Sequence, residues 1–261
     1  MALVVVGIQK HRWNNITDLA GKLEAAESQL APIGAETGLD IVPVATNIRD
    51  LNPATAFWQY EFQGAALAGI GHLFADSLRS VSIASTWSIG HLRNWGSHPL
   101  LDPNFGTDSL SIWHELAHLS RLDKLKIISN RPTLLQLLNV CNGRTENDSN
   151  CGRCEKCIRT MLGLEALGLL ARNDAFSRAS LTPADLRAIR IGHPGIESEY
   201  LELIDPLRGI GRNDLASKIG RLVHLNRIQR RLRAGFARSL VRPISQVRRH
   251  TRRDSGVPSP M

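Results

Sequence analysis

The four cysteines of this chain are confined to a segment of seventeen residues, from Cys141 to Cys157. Cys151, Cys154 and Cys157 follow the spacing C-x2-C-x2-C, which allows a tight loop entering a helix to direct three thiols towards one point. Cys141 lies ten residues before Cys151 and completes the set by a return of the loop. Gly152 permits the sharp turn that this requires. A fold of this chain must therefore bring the two arms of the loop together.

Four clustered thiolates predict a structural zinc ion, because zinc prefers closed, four-coordinate sites with sulfur ligands. Arg153 and Lys156 lie between the cysteines and offset the negative charge of the thiolates. An iron–sulfur cluster is a second interpretation, since C-x2-C-x2-C also occurs in ferredoxins, although the downstream cysteine and proline of that pattern are absent. Thiols without a metal are a third interpretation. Disulfides conflict with a reducing compartment, which the next observations predict.

The bulk composition is that of an ordinary globular protein. Hydrophobic residues make up 43% of the 261 residues and charged residues 21%, and the length suffices for one sizeable core. No run approaches the roughly 20 apolar residues that a membrane-spanning helix needs. The opening MALVVVGIQKHRW has neither a basic segment before its apolar run nor a small-residue cleavage site, so it predicts a strand and not a signal peptide. The expected location is cytoplasmic.

Short β-branched runs alternate with helical patterns in the first half of the chain. This alternation predicts an α/β fold with a Rossmann-like, doubly wound parallel sheet. The long segment between the last two strands is rich in Gly, Pro and Asn, and loops of such length are commonly functional. The predicted strands are residues 3–7, 40–46, 80–86 and 109–116, and the predicted helices are residues 15–35 and 54–75.

The residues that follow the cysteines have a wholly helical pattern. An apolar helix is predicted over residues 157–173, and Thr182, Pro183 and Asp185 match a helix start. A last helix from Asn213 carries an apolar stripe beneath a cover of arginines. We therefore divide the chain into an α/β body (1–140), a four-cysteine zinc loop with its helix (141–175), a helical extension (176–240) and a basic disordered tail (241–261).

The net charge of +8 is concentrated near the C-terminal end. Residues 215–253 contain one lysine, eleven arginines and no acid, and Asp254 follows, so residues 1–214 carry a net charge of −3. We expect deletion of residues 243–261 to leave the fold intact. The charge of the tail fits nucleic acid or an anionic membrane surface, although an aromatic content of 5% offers little base stacking.

His114, Glu115 and His118 form an H-E-x-x-H sequence. On a helix this spacing would place both imidazoles on one face for zinc, with Glu115 as general base. The extended form needs Gly three residues and His six residues after the second histidine, where this chain has Arg121 and Lys124. The stretch also begins with a strand pattern. We therefore predict His114 at a strand end, His118 in the following turn, and no metal on these residues.

The α/β body, the sequence NCGRCEKC (150–157) and the apolar helix after it resemble the 7-cyano-7-deazaguanine synthase branch of the PP-loop ATP pyrophosphatase superfamily, an adenine nucleotide alpha hydrolase-like group. The resemblance covers about residues 2–172. It implies ligase chemistry with ATP and magnesium: a small-molecule substrate is adenylated, pyrophosphate leaves, and a nitrogen nucleophile attacks to form an amide or nitrile. It also implies a structural zinc near the active site, bound by Cys141, Cys151, Cys154 and Cys157.

The loop GSHPLLDP (96–103) lies where the family has a substrate-side loop. The resemblance therefore makes Ser97, His98 and Asp102 substrate-loop candidates, while it leaves the catalytic residues unknown. Arg159 is one residue short of the basic position that the synthase has after its last cysteine. Ser97, His98 and Asp102 thus extend the likeness to the substrate side of the α/β body, whereas the position of Arg159 is a departure from the synthase.

This chain departs from the family at its phosphate loop. The family holds the ATP phosphates with an S-G-G-x-D-S loop after its first strand, whose backbone N–H groups face the phosphates. The one Ser-Gly pair of this chain is Ser255-Gly256, with no strand before it. LVVVG (3–7) best matches the second strand of the family, so the first strand and its loop are expected to be missing. We expect no ATP pyrophosphatase activity from this chain alone.

Loss of that central strand has a consequence for pairing. Strand 3–7 would pair with 40–46, and 80–86 would pair with 109–116, with a gap or strained direct pairing at the seam between the two pairs. Three functions follow from these patterns: a synthase-like enzyme whose N-terminal part lies outside this chain, a non-catalytic zinc-stabilised binding module, or a nucleic-acid-binding protein that combines the zinc loop with the arginine tail. The oligomeric state is left open.

Overall fold

The computed structural model describes residues 1–8, 18–141, 150–187 and 189–241, with side chains as far as residue 232. Within these ranges the chain has an α/β fold. All four predicted strands are formed, each five residues long. They are β1 (Ala2–Val6), β2 (Ile41–Ala45), β3 (Ser80–Ala84) and β4 (Ser111–Glu115). β1 has its predicted length but begins one residue earlier, and the other three are shorter than their sequence patterns by two or three residues.

The four strands form two parallel pairs. β1 pairs with β2, with Ala2 opposite Ile41, and β3 pairs with β4, with Ser80 opposite Ser111. The predicted pairing is therefore confirmed. Among the described residues the two pairs are separate sheets, so a single doubly wound sheet is not formed there. Of the two predicted outcomes at the seam, the structure has the gap and not direct pairing.

Helices lie between β1 and β2 and between β2 and β3. α1 (Leu19–Thr37) runs from β1 to β2; Asp18 caps its start by accepting a hydrogen bond from the Gly21 N–H at 2.5 Å, and Gly38 ends it with a φ of +71°. The first predicted helix is thus present, although its expected start lies outside the described residues. The second is present as a continuous run of α2 (Thr55–Phe57), a π-helical turn (Trp58–Phe62) and α3 (Gln63–His72).

The strands bury few side chains. One cluster of two buried residues lies between β1 and α1, and a cluster of four is associated with β3, β4 and α3 (Val6 and Ala26; Ala68, Ile83, Leu110 and Ile112). Trp113 on the opposite face of β4 remains 53% exposed. Since parallel sheets are normally covered on both faces, the strand half of the molecule retains uncovered sheet surface.

The residues from Arg121 onward, which we call the helical half, are built around one larger core of twenty-two buried residues, including Met161 and Leu162. Leu122 and Leu135 belong to it, so this core draws on residues from both sides of the boundary set at residue 140. The helices are α4 (Arg121–Ser129), α5 (Pro132–Gln136), α6 (Glu155–Ala166), α7 (Pro194–Glu202), α8 (Ile204–Gly209) and α9 (Asn213–Val241).

Two helix predictions in this half are wrong in extent. The helix predicted over residues 157–173 ends at Ala166, because the chain turns at Gly168 with a φ of +69°. Thr182 does form the hydrogen bonds of a helix start, since its N–H and Oγ1 donate to Oδ2 of Asp185 at 2.8 and 2.9 Å. Only a turn follows. A capping motif fixes the first turn but does not propagate a helix.

The apolar stripe predicted along α9 is not one buried face. Leu215 and Ile219 are fully buried, whereas Ile228 and Leu232 are 41% and 61% exposed. The tail predicted to be disordered spans residues 241–261; Val241 is instead the last residue of α9, and residues 242–261 lie outside the described residues. None of the described helices is long and apolar enough to cross a membrane.

Candidate metal centre and adjoining loop

The four cysteines converge where the loop enters α6. Cys154 is the N-cap of α6, Cys157 is buried in its first turn, and Gly152 turns the chain before them with a φ of +63°. The Sγ atoms of Cys141 and Cys154 are 3.8 Å apart, and those of Cys151 and Cys157 are 3.9 Å apart. All four sulfur atoms lie within 4.8 Å of one another. The structure thus brings the four predicted ligands together.

These separations have the size of a single tetrahedral metal–thiolate site. With a metal–sulfur distance of about 2.3 Å, the edge of a regular tetrahedron of sulfur atoms is about 3.8 Å. The four cysteines are therefore positioned to bind one metal ion. In the part of the chain that the structure describes, no other group of three or more His, Cys, Asp or Glu side chains converges in this way.

The thiols differ in their tendency to ionise. Burial opposes ionisation of Cys151, but hydrogen bonds from the backbone N–H groups of Arg153 and Cys154 and from neighbouring thiols outweigh it and lower its pKa to about 6. Burial raises the pKa of Cys154 and of Cys157. Cys151 is thus the most readily ionised of these three thiols, and a bound metal ion would favour the thiolate form of the others.

Asn150 fastens the two arms of the cysteine loop to each other. Its Oδ1 accepts hydrogen bonds from the N–H groups of Val140 at 2.9 Å and Cys141 at 3.2 Å. Its Nδ2 donates to the carbonyl oxygens of Leu138 at 2.7 Å and Ala175 at 3.0 Å. The amide therefore fixes Cys141 relative to the chain that continues into Cys151. The sequence prediction missed this residue, because an asparagine before a cysteine is no signal by itself.

A largely buried ion-pair network connects α6 to its neighbours. Arg159 is 6% exposed; its Nε lies 3.2 Å from Oε1 of Glu155, and its guanidinium also contacts Glu199 of α7. Arg121, the first residue of α4, lies 3.8 Å from the same Glu199. Burial raises the pKa of Glu199, against the opposing effect of the two arginines. The network fixes α6 against α4 and α7 directly beside the cysteines.

The substrate-loop candidates gather around one carboxylate. Asp102 is 0% exposed, and its Oδ2 accepts a hydrogen bond from Oγ of Ser97 at 2.7 Å. Its Oδ1 accepts from the backbone N–H of His98 at 3.0 Å. The His98 ring instead accepts from the N–H of Leu100 at 3.1 Å. The loop therefore brings the Ser97 and Asp102 side chains together, whereas His98 contributes its backbone.

The H-E-x-x-H sequence is not helical. His114 and Glu115 are the last two residues of β4, and His118 lies in the turn that follows. Leu116 between them has a φ of +62°, which bends the chain away from the strand direction. The predicted placement of the two histidines is confirmed.

His114 instead contacts the substrate-side loop. Its Nδ1 lies 2.7 Å from Oδ2 of Asp102, and its side chain is 4% exposed. A carboxylate oxygen accepts hydrogen bonds, so the contact fits a ring that carries its proton on Nδ1, and this tautomer would leave Nε2 as the acceptor. This arrangement orients an imidazole to accept a proton at Nε2. The sequence prediction placed His114 and Asp102 in unrelated motifs and missed the contact, which depends on how the loop folds under β4.

Lys124 contacts the residue that follows the neighbouring strand, β3. Nζ of Lys124 donates to the carbonyl oxygen and to Oγ of Ser85, at 2.9 and 2.7 Å, just beyond β3. Burial and then the charge of Arg121 lower the pKa of Lys124. The carboxyl ends of β3 and β4 therefore carry an ammonium group and an imidazole–carboxylate pair. Ligands of parallel α/β sheets bind at the carboxyl ends of the strands.

Aromatic rings join the loop after β3 to the start of α7. Trp87 stacks on His193 with ring centroids 5.3 Å apart, and Trp95 packs edge-on against both rings. His193 is the N-cap of α7, and its Nδ1 accepts a hydrogen bond from the Gly195 N–H at 3.1 Å. A Cβ at Gly195 would lie 2.7 Å from the Trp87 ring, so this contact needs glycine.

Comparison with protein-family models, with curated proteins and with solved structures found no match to this chain. The assignment to a family therefore stays a proposal, supported by the motifs of the sequence and the geometry of the residues that carry them.

Proposed function

We propose that the four cysteines bind a structural zinc ion and that the chain is a zinc-stabilised α/β binding module, related to the PP-loop ATP pyrophosphatases of the 7-cyano-7-deazaguanine synthase type. The single observation that carries the proposal is the set of sulfur–sulfur distances, with all four atoms within 4.8 Å. Four thiolate ligands leave no open coordination position, which is the mark of a structural and not a catalytic zinc site.

The same distances favour zinc over an iron–sulfur cluster. In a 4Fe–4S cluster each thiolate binds a different iron, and in a 2Fe–2S cluster two thiolates bind each iron, so sulfur atoms on different irons are separated by more than one tetrahedron edge. All four sulfur atoms of this site instead lie within 4.8 Å of one another. Here the pairs Cys141–Cys154 and Cys151–Cys157 are 3.8 and 3.9 Å apart, close to the edge of about 3.8 Å expected around one ion. Zinc is the common ion in closed sites of four cysteines.

The strand pairing supports the proposed relationship in fold. β1 pairs with β2 and β3 pairs with β4, both parallel, with the seam between the pairs left open. This is the pattern expected of a doubly wound sheet without its central strand. We propose that the two pairs are the flanking halves of such a Rossmann-like sheet.

The absence of an S-G-G-x-D-S sequence bears on activity. We expect residues 1–261 to bind ATP with magnesium weakly and to release no pyrophosphate. Isothermal titration with ATP and magnesium, combined with a pyrophosphate-release assay, tests this expectation. Tight ATP binding with pyrophosphate release would mean that another segment holds the phosphates, and it would overturn the non-catalytic proposal.

A second candidate function, catalysis by an ATP-dependent adenylating ligase, is favoured by one observation. The Asp102–His114 pair and Lys124 lie at the carboxyl ends of β4 and β3, where a parallel sheet binds its ligands. In such an enzyme Nε2 of His114 would accept a proton from the nitrogen nucleophile. The test is steady-state pyrophosphate release, which continues only if the nucleophile discharges the adenylated substrate, by the wild type and by His114→Gln, with His91→Gln in the neighbouring loop as matched control. Release that falls at least tenfold in His114→Gln alone would support the enzyme.

A further inference from the structure

α9 has two apolar sides. The buried side consists of Leu215, Ile219 and Val223, each 2% exposed or less. A second series lies in the following two turns and is 57%, 41% and 61% exposed; its members are Leu225, Ile228 and Leu232. At about 100° per residue, the second series lies roughly 150° around the helix from the first. Packing against the core therefore leaves this second side uncovered, and we refer to Leu225, Ile228 and Leu232 as the exposed stripe.

A groove adjoins the exposed stripe. It has a volume of about 250 Å³ and lies between α9 and the segment that precedes α7. Leu225 is shared by the groove and the stripe, and Leu186, Ile189 and Leu222 also line the groove. Four basic side chains line the same groove: Arg187, Arg190, Lys218 and Arg221. Apolar surface and cationic groups thus occur side by side on one face of the molecule.

The basic side chains of this face differ from other arginines of α9. Arg227 and Arg230 both form ion pairs with Glu197 of α7, which offsets one of their two positive charges. The four basic residues of the groove form no ion pair with a carboxylate in the described part of the chain. Their positive charge is therefore available to a partner.

We propose that the exposed stripe and the basic groove bind the surface of a bilayer that contains anionic lipids. An interfacial helix inserts an apolar side among the lipid chains while flanking arginines contact the headgroups. The stripe supplies the apolar side, and the groove residues supply the cations beside it. The positive charge continues along the sequence beyond this face, since residues 215–253 contain eleven arginines, one lysine and no acid.

Other occupants fit the surface less well. A second copy docked through the same face, or the chain's own residues 242–253, would bring like charges together, because residues 215–253 are arginine-rich and lack acid. A nucleic acid would use the cations but would leave the exposed stripe in water. An anionic bilayer satisfies both the apolar and the cationic parts.

Co-sedimentation of the full chain with vesicles tests the proposal. One set of vesicles contains phosphatidylcholine alone, and the other contains 30% phosphatidylserine. We expect partitioning onto the anionic vesicles to exceed that onto the neutral vesicles at least tenfold. The double variant Ile228→Asp/Leu232→Asp should lose most of this partitioning and keep its melting temperature, because both side chains are exposed. Leu100→Asp, at a site 81% exposed in a distant loop, is the matched control and should bind like the wild type.

The charge contribution is tested with Lys218→Gln/Arg221→Gln, which should weaken binding to anionic vesicles and reduce its salt dependence. Arginines beyond residue 241 are present in every variant, so the differences report the folded face alone. Equal binding of the aspartate variant and the wild type would overturn the proposal. So would equal binding to neutral and anionic vesicles, or binding to a single-stranded RNA that survives the aspartate substitutions while vesicles are not bound.

Discussion

The strand half and the helical half of this molecule bury their side chains differently. Up to Glu115, the described residues of β1–β4 and their helices form buried clusters of two and four residues. From Arg121 onward, twenty-two buried residues form one core, and Cys157 of the cysteine group is part of it. Two-stranded sheets are marginal without further packing. The comparison indicates that the cohesion of the protein resides in the helical half, with the four-cysteine group as one of its structural elements.

The largest expected effect comes from the cysteines. Cys154→Ser should abolish metal binding and destabilise the helical half by more than about 4 kcal/mol, because metal-binding free energy is also folding free energy. Thermal unfolding followed by circular dichroism measures the change. Arg172→Ala, at an exposed position of the helical half outside the cysteine loop, is the control and should unfold like the wild type. A variant that melts at the wild-type temperature would separate the cysteines from the stability of the core.

The next prediction compares two leucines that are both 0% exposed. Leu162→Ala in the helical core should cost about 4 kcal/mol, and Leu110→Ala beside β4 about 2 to 3 kcal/mol. The difference arises because the smaller cluster can close more of the cavity. Denaturant unfolding of both variants gives the comparison. A larger loss for Leu110→Ala would place the more cohesive core in the strand half.

Asn150 tests how firmly the cysteine loop is attached to the core. Asn150→Ala removes four hydrogen bonds to the backbone and should cost about 2 kcal/mol, since buried backbone groups lose their partners. It should also weaken metal binding. Asn104→Ala, which removes one exposed hydrogen bond to Leu100, is the control and should change stability by less than about 0.5 kcal/mol. Unchanged metal affinity in the Asn150 variant would show that the loop closes without it.

The smallest effect concerns the junction of the two halves at His193. Burial lowers the pKa of His193 below its ordinary value of 6.5, and the charges of Arg93 and Arg230 lower it further. The unfolded chain therefore binds this proton more readily, so stability is retained above about pH 6.5 and falls as the pH decreases towards the folded pKa. His193→Asn, which retains an N-cap acceptor, should remove this part of the pH dependence, by under about 1 kcal/mol after solvent screening.

The measurement is the melting temperature at pH 5 and pH 7.5, with the exposed His224→Asn as control. A pH dependence that is unchanged in His193→Asn would contradict the assignment of this effect to the junction.

Local patterns predicted much of this structure. The β-branched runs gave the four strands, and the cysteine spacing gave the group of thiols. The strand character of SLSIWHE placed His114 at a strand end, which the motif alone would have put on a helix. These features depend on neighbouring residues, so they can be inferred without the fold.

What could not be predicted depends on distant contacts. The Asp102–His114 hydrogen bond joins residues twelve positions apart, and Asn150 bonds to Ala175 across twenty-five. The apolar stripe predicted along α9 is continuous in the sequence, yet only the residues of its first turns are buried against the core. Which side of a helix is covered is decided by its neighbours, and the sequence of the helix alone does not contain that information.

The metal content of the purified protein tests the central claim most directly. Elemental analysis should find about one zinc per chain, and X-ray absorption should find four sulfur neighbours at about 2.3 Å. Cys154→Ser should contain none. No bound metal, iron in place of zinc, or fewer than four sulfur neighbours would contradict the account of a closed zinc site that stabilises the helical half.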